Sequence, residues 1–142
     1  MILNAPLILL NLSQKLCSGF LWYLNVHGPG PPKWILCNAS LYRNALLLTW
    51  QTSGTTKATV TLDLLNCLDV QSTPTVSDPS VAGDVGAIAW SWDRERISRS
   101  VEDIYPMHLQ FDDGVERIAT STLIDRVTWV GMILCVTLST LF

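Results

Sequence analysis

Between Leu46 and Phe111, short segments of the chain alternate apolar and polar residues with a period of two. In residues 59–64, Val60, Leu62 and Leu64 point one way while Thr59, Thr61 and Asp63 point the other. Tyr105, Met107, Leu109 and Phe111 repeat the pattern, Ile88, Trp90 and Trp92 share a face, and so do Leu46, Leu48 and Trp50. Side chains alternate across a strand, so each segment offers one face to a core and one to water. The spacing predicts strands over 34–37, 46–51, 58–65, 85–92 and 104–111, with 115–124 returning after Asp112-Asp113-Gly114, a tight turn that favours a hairpin. Residues 71–83, rich in Pro, Ser, Thr and Asp, read as a loop, and the charged 93–103 segment as a loop or a single helical turn. These elements predict an all-β, small antiparallel β-sandwich, a fold that more often binds or supports than catalyses.

The clearest boundary is Gly28-Pro29-Gly30-Pro31-Pro32, too rich in Pro and Gly to continue a helix or a central strand. Charge marks the other divisions. Residues 1–56 carry only Lys15, Lys33 and Arg43, and residues 127–142 carry no charged side chain. The chain therefore divides into an apolar leader and linker (1–32), a sandwich (33–126) and an apolar C-terminal segment (127–142). Within the head, 2–12 and 16–26 are the two apolar stretches that could form the core of a secretory signal, the second following Lys15. The tail has three readings. It is a glycolipid (GPI) attachment signal with Ala119, Thr120 and Ser121 as the small residues at the anchor site, a tail anchor with Arg126 and Trp129 at the interface, or a buried last strand. A net charge of -3 gives no basic footprint for nucleic acid.

Cysteine usage and sequons fit an exported chain. The four cysteines, Cys17, Cys37, Cys67 and Cys135, contain no Cys-x-x-Cys pair, which argues against a zinc knuckle or a thioredoxin-type centre. With head and tail removed, Cys37 and Cys67 remain, either as a disulfide in an oxidising compartment or as two unpaired buried thiols. Of the sequons at Asn11 and Asn38, Asn38 is the better glycosylation candidate because it follows the linker.

Little else carries chemistry. Asp112 and Asp113 with Glu116 could form a calcium or acid/base site, but neighbours on a strand face opposite ways and Gly114 makes the segment primarily a turn. His27 and His108 are too few for a metal cluster, and His108 sits on the polar face of its strand. No Gly-x-Ser-x-Gly elbow or phosphate-cradling loop is present. The expectation is therefore no enzyme, no cofactor and no metal. Trp34, Trp50, Trp90 and Trp92 could stack on sugar rings; Trp50 and Trp90 read as core, and Trp92, near a strand end, is the candidate for glycan contact.

Taken in order, Leu48-Thr49-Trp50, residues 59–65 (Thr-Val-Thr-Leu-Asp-Leu-Leu), residues 86–90 (Gly-Ala-Ile-Ala-Trp) and residues 105–113, ending in Asp112-Asp113, resemble the sandwich domain of fungal Ser/Thr-rich GPI-anchored cell-wall proteins. That domain is shared with the yeast proteins of β-1,6-glucan assembly. The resemblance covers about residues 34–124. It departs from the family in having no Ser/Thr-rich stalk before the tail and no Pro-containing turn after Trp92. It implies an immunoglobulin- or fibronectin-III-like sandwich, a secreted glycoprotein at the cell surface, in the wall or anchored to the membrane, and a structural or wall-assembly role. Its implied partners are wall glucan or surface proteins, with the membrane reached through the tail. The alternative is a tail-anchored or secreted interaction module that binds through a β-edge.

Overall fold

The computed structural model describes residues 15–27, 32–74, 87–88 and 103–139. Its elements are β1 (Cys17–Asn25), β2 (Lys33–Leu41), β3 (Ala45–Ser53), β4 (Thr56–Asp63), a 3-10 turn (Leu64–Asn66), β5 (Cys67–Ser72), β6 (Ala87–Ile88), β7 (Tyr105–Phe111), β8 (Gly114–Thr120) and a helix, α1 (Leu123–Ser139). The strands form a sheet in the order β4-β3-β2-β1-β8-β7-β5, antiparallel at each step, with β6 parallel to the start of β2.

The predicted alternation is realised in β3, β4 and β7. Leu46, Leu48 and Trp50 of β3, Val60 and Leu62 of β4, and Met107, Leu109 and Phe111 of β7 all enter one core. Leu64 joins them from the 3-10 turn rather than from a strand, because the Asp63 carboxylate accepts the Leu65 backbone N–H and caps that turn. The expected hairpin forms: Phe111 pairs with Gly114 across Asp112 and Asp113, and Gly114 takes a φ of 150°, a conformation that L side chains rarely adopt. For residues 85–92, the structure describes only the backbone of β6; Trp90 and Trp92 lie outside the described residues.

Connectivity requires the sheet to fold over. Were it flat, β4 and β5 would lie at opposite edges, roughly 29 Å apart at ~4.8 Å per strand step. The link from Asp63 to Cys67 spans at most ~14 Å of extended chain. The sheet therefore rolls until the end of β4 abuts the start of β5, with the 3-10 turn as the corner where the chain passes from one half to the other. Its two halves face each other across a shared core, as the layers of a β-sandwich do. An immunoglobulin-type sandwich divides its strands between two sheets; here all belong to one, and most consecutive strands are neighbours.

Two boundaries read from the sequence differ from the structure. The first strand is not 34–37: β1 precedes it, inside the segment assigned to the leader, and pairs with β2 along its whole length and with β8 through Trp22 and Tyr23. Leu21, Trp22, Tyr23 and Leu24 are buried in succession because both faces of β1 are covered over these residues. Leu21 and Tyr23 enter the main core, while Trp22 and Leu24 join Trp34, Ile104 and Ala119 in a second cluster on the opposite face. The second boundary is at the tail, where residues 127–139 continue a helix that begins at Leu123, so the strand reading is replaced. Thr122 caps it by accepting the Asp125 backbone N–H at 3.1 Å, and Asp125 complements the positive helix end. Trp129, Ile133 and Val136 face the core. Arg126 fastens the first turn, its Nη1 donating to the Thr73 and Pro106 carbonyls at 2.7 and 3.1 Å while the guanidinium lies over the Tyr105 ring. No helix among the described residues is long and apolar enough to cross a membrane.

Candidate functional site: an acidic cleft at the fold corner

Because β4 ends where the sheet folds over, its last residues come beside the β7–β8 hairpin and the end of β1. A cleft of about 670 Å³ opens there, within the size range of small-molecule sites. Leu62 and Phe111 contribute apolar lining, and Val26, His27, Thr61 and Asn66 also border it. Four carboxylates, Asp63, Asp112, Asp113 and Glu116, contribute negative charge. The sequence singled out Asp112, Asp113 and Glu116; the structure brings them to one cleft and adds Asp63 and Asn66.

Two of the carboxylates already have structural duties. Asp63 accepts Leu65 N–H at 3.1 Å and Asn66 Nδ2 at 2.6 Å, which holds the 3-10 corner. Glu116 accepts the hydroxyl of Tyr23 at 3.0 Å. Tyr23 is fully buried on β1, and burial, reinforced by the Glu116 carboxylate, pushes its phenol far up, so it remains a donor at any physiological pH. Asp112 and Asp113 form the exposed hairpin turn. The cleft is thus a place that can accept hydrogen bonds or a positive charge. Among the described residues no group of three or more His, Cys, Asp or Glu could hold a metal ion.

The remaining residues singled out by the sequence are dispersed. Cys37 is buried and its Sγ donates to the Ile35 carbonyl at 3.4 Å, whereas Cys67 Sγ faces the Asp69 carbonyl at 3.5 Å. Both are free thiols, which replaces the disulfide reading with the unpaired one. Burial pushes both thiols up, away from the reactive thiolate. His108, half-buried on β7, accepts from Arg117 Nε at 3.2 Å; burial and then the Arg117 charge lower its pKa. Asn38 is exposed in the middle of β2. Trp50 is core, as expected, and Trp34 is fully buried in the second cluster. Ala119 and Thr120 are the buried last residues of β8, and Ser121, just beyond, accepts the Trp22 indole N–H at 3.3 Å. Trp92 lies outside the described residues.

Sequence reasoning missed Tyr23 because its segment lacks alternation, and missed Asp63 because its role depends on the 3-10 corner. The Asp-x-Leu-Asn run of residues 63–66, a capping residue at a break in alternation, was the available signal for the latter. No protein-family model and no curated protein matches the chain.

Proposed function

We propose that the chain is a non-enzymatic structural or wall-assembly module of a fungal cell surface, exported and held in the wall or at the membrane. The observation that carries the non-catalytic part is the commitment of the cleft's chemical groups: Asp63 holds the corner and Glu116 holds Tyr23. The Cys37 thiol is buried with its pKa raised. Such a site supports a rigid presenting surface better than proton or group transfer, which needs a nucleophile activated by a neighbouring base. The cell-wall part rests on the order of the strand motifs alone.

Immunodetection on intact fungal cells and their walls tests the reading. Detection of the chain at the cell surface or in the wall, with the core-forming helix α1 retained, supports an exported surface module. A chain confined to the cytosol, or one that hydrolyses members of a glucan panel, would overturn it.

A second reading has its own observation. The outer edges of β4 and β5 flank the corner, and Leu65 and Leu68 are exposed beside them. An unpaired edge with apolar side chains is a template for adding a partner's strand. Under this reading the chain is a tail-anchored or secreted interaction module, and detergent extracts retain residues 127–142 together with a bound protein.

A further inference from the structure

On the side of the sheet away from the main core, a row of side chains crosses four strands at the level of Phe20. Pairing sets Phe20 opposite Asn38, Asn38 opposite Thr49, and Thr49 opposite Thr59. Directly paired residues share a sheet face. Their neighbours along the strands, Leu21, Cys37, Ala39, Leu48, Trp50 and Val60, all enter the main core, so alternation turns the row outward. Phe20 is 67% exposed in the middle of the sheet, Asn38 is exposed, and Thr49 and Thr59 are half-buried. A shallow cavity of about 230 Å³ adjoins the row, bordered also by Leu36, Gln51 and Lys57.

A phenyl ring left open to solvent beside an amide and hydroxyls matches the two surfaces of a pyranose. The C–H face of the sugar stacks on the ring, while its hydroxyls bond to amide and hydroxyl groups at the sides. Asn38-Ala39-Ser40 is also a glycosylation sequon, so a sugar linked to Asn38 would begin directly across the strand pair from Phe20.

We propose that the Phe20–Asn38–Thr49 row is a saccharide-stacking platform, with Phe20 supplying the face. It deepens the cell-surface reading, on which it rests for the place where sugar is met. The sugar is an N-linked glycan on Asn38: transfer forms a bond between the sugar C1 and Asn38 Nδ2, expels the polyprenyl diphosphate of a lipid-linked oligosaccharide donor and releases one amide proton. Transfer acts on the chain before its strands pair, and the exposure of Asn38 then leaves room for the product in the folded sheet.

The test uses the full chain exported from a yeast host behind a supplied leader, so its outcome does not depend on where the chain resides in its own cell. The variants are Phe20→Leu, which keeps an apolar side chain without the ring, and Phe20→Tyr, which restores the ring. Mass spectrometry is expected to find Asn38 occupied, and complete enzymatic removal of the glycan to lower Tm by about 4 °C. That loss is expected in the parent chain and Phe20→Tyr and absent in Phe20→Leu. The proposal is overturned if Asn38 is unoccupied, whether or not free saccharides bind the chain, or if Phe20→Leu loses as much Tm on glycan removal as the parent chain. Absence of the chain from its own cell surface would instead overturn only the functional reading above.

Discussion

The bond from the Tyr23 hydroxyl to Glu116 joins β1 to β8, whose ladder consists of two residue pairs among the described residues. Removing the donor leaves Glu116 half-buried without its protein partner and Tyr23's site otherwise filled. Tyr23→Phe is therefore expected to destabilise the fold by about 1–2 kcal/mol, measured as a lowered urea midpoint at unchanged slope. A different residue sets the response to acid. Folded His108 binds its proton less tightly than the free side chain, whose ordinary value is 6.5, because burial and then Arg117 disfavour the imidazolium. As pH falls below that value, the unfolded chain takes up a proton that the folded chain resists, so His108's contribution is present above it and is lost on acidification. Protonation of Nε2 would also displace the Arg117 donor. Gln71 is the register neighbour on the β5 side, so no carboxylate is paired directly beside His108 to offset the effect. Urea midpoints at pH 7.5 and pH 5 should differ less for His108→Gln than for the parent chain; an equal difference would assign acid sensitivity elsewhere.

At the scale of elements, legibility followed how many faces each segment buries. β3, β4 and β7 bury one face on the main core, so their alternation was visible and the Asp112-Asp113-Gly114 turn fixed the hairpin. Residues 21–24 of β1 are covered on both faces, which erases the period and leaves Leu21-Trp22-Tyr23-Leu24 looking like the core of an export signal. Helix α1 was obscured for the opposite reason: it has apolar residues on both its faces. Trp129, Ile133 and Val136 enter the core, while Ile124, Val127 and Leu138 remain exposed, so beyond Arg126 neither a polar stripe nor a charge separates helix from strand or anchor. The candidate cleft was half legible, since its hairpin carboxylates are adjacent in sequence, whereas Tyr23, Asp63 and Asn66 arrive through the rolled sheet. One close approach between elements gives a sharp test. A Cβ on Gly19 of β1 would stand 3.5 Å from Trp129 Cζ2, an ordinary contact, so Gly19→Ala should be tolerated. Gly19→Leu must push the indole aside and should cost about 1–3 kcal/mol. Trp129→Ala, which empties the site instead, should cost about 3–5 kcal/mol. Denaturant unfolding of the three variants checks this order, and equal stabilities would mean that α1 does not close the core.

For the molecule as a whole, the pairing of β1 with β8 and the seating of α1 against the core make both ends of the described chain part of one cooperative unit. A sheet that starts with its central strand and receives that strand's second neighbour about a hundred residues later has high contact order, so folding in milliseconds to seconds is expected. The same topology makes both boundaries drawn from the sequence costly. A chain of residues 33–126 lacks β1, leaving β2 and β8 with unpaired inner edges, and also lacks Trp129, Ile133 and Val136. Residues 33–142 restore the helix without the central strand, and residues 1–122 keep the strand but expose the core that α1 covers. All three truncations should lose the sigmoidal thermal transition of the full chain, monitored by circular dichroism, because each removes a part that the rest cannot replace. If residues 33–126 instead melt cooperatively, β1 and α1 are appendages on a smaller β fold, and the position of the strand and helix in one core with β2 and β8 is wrong.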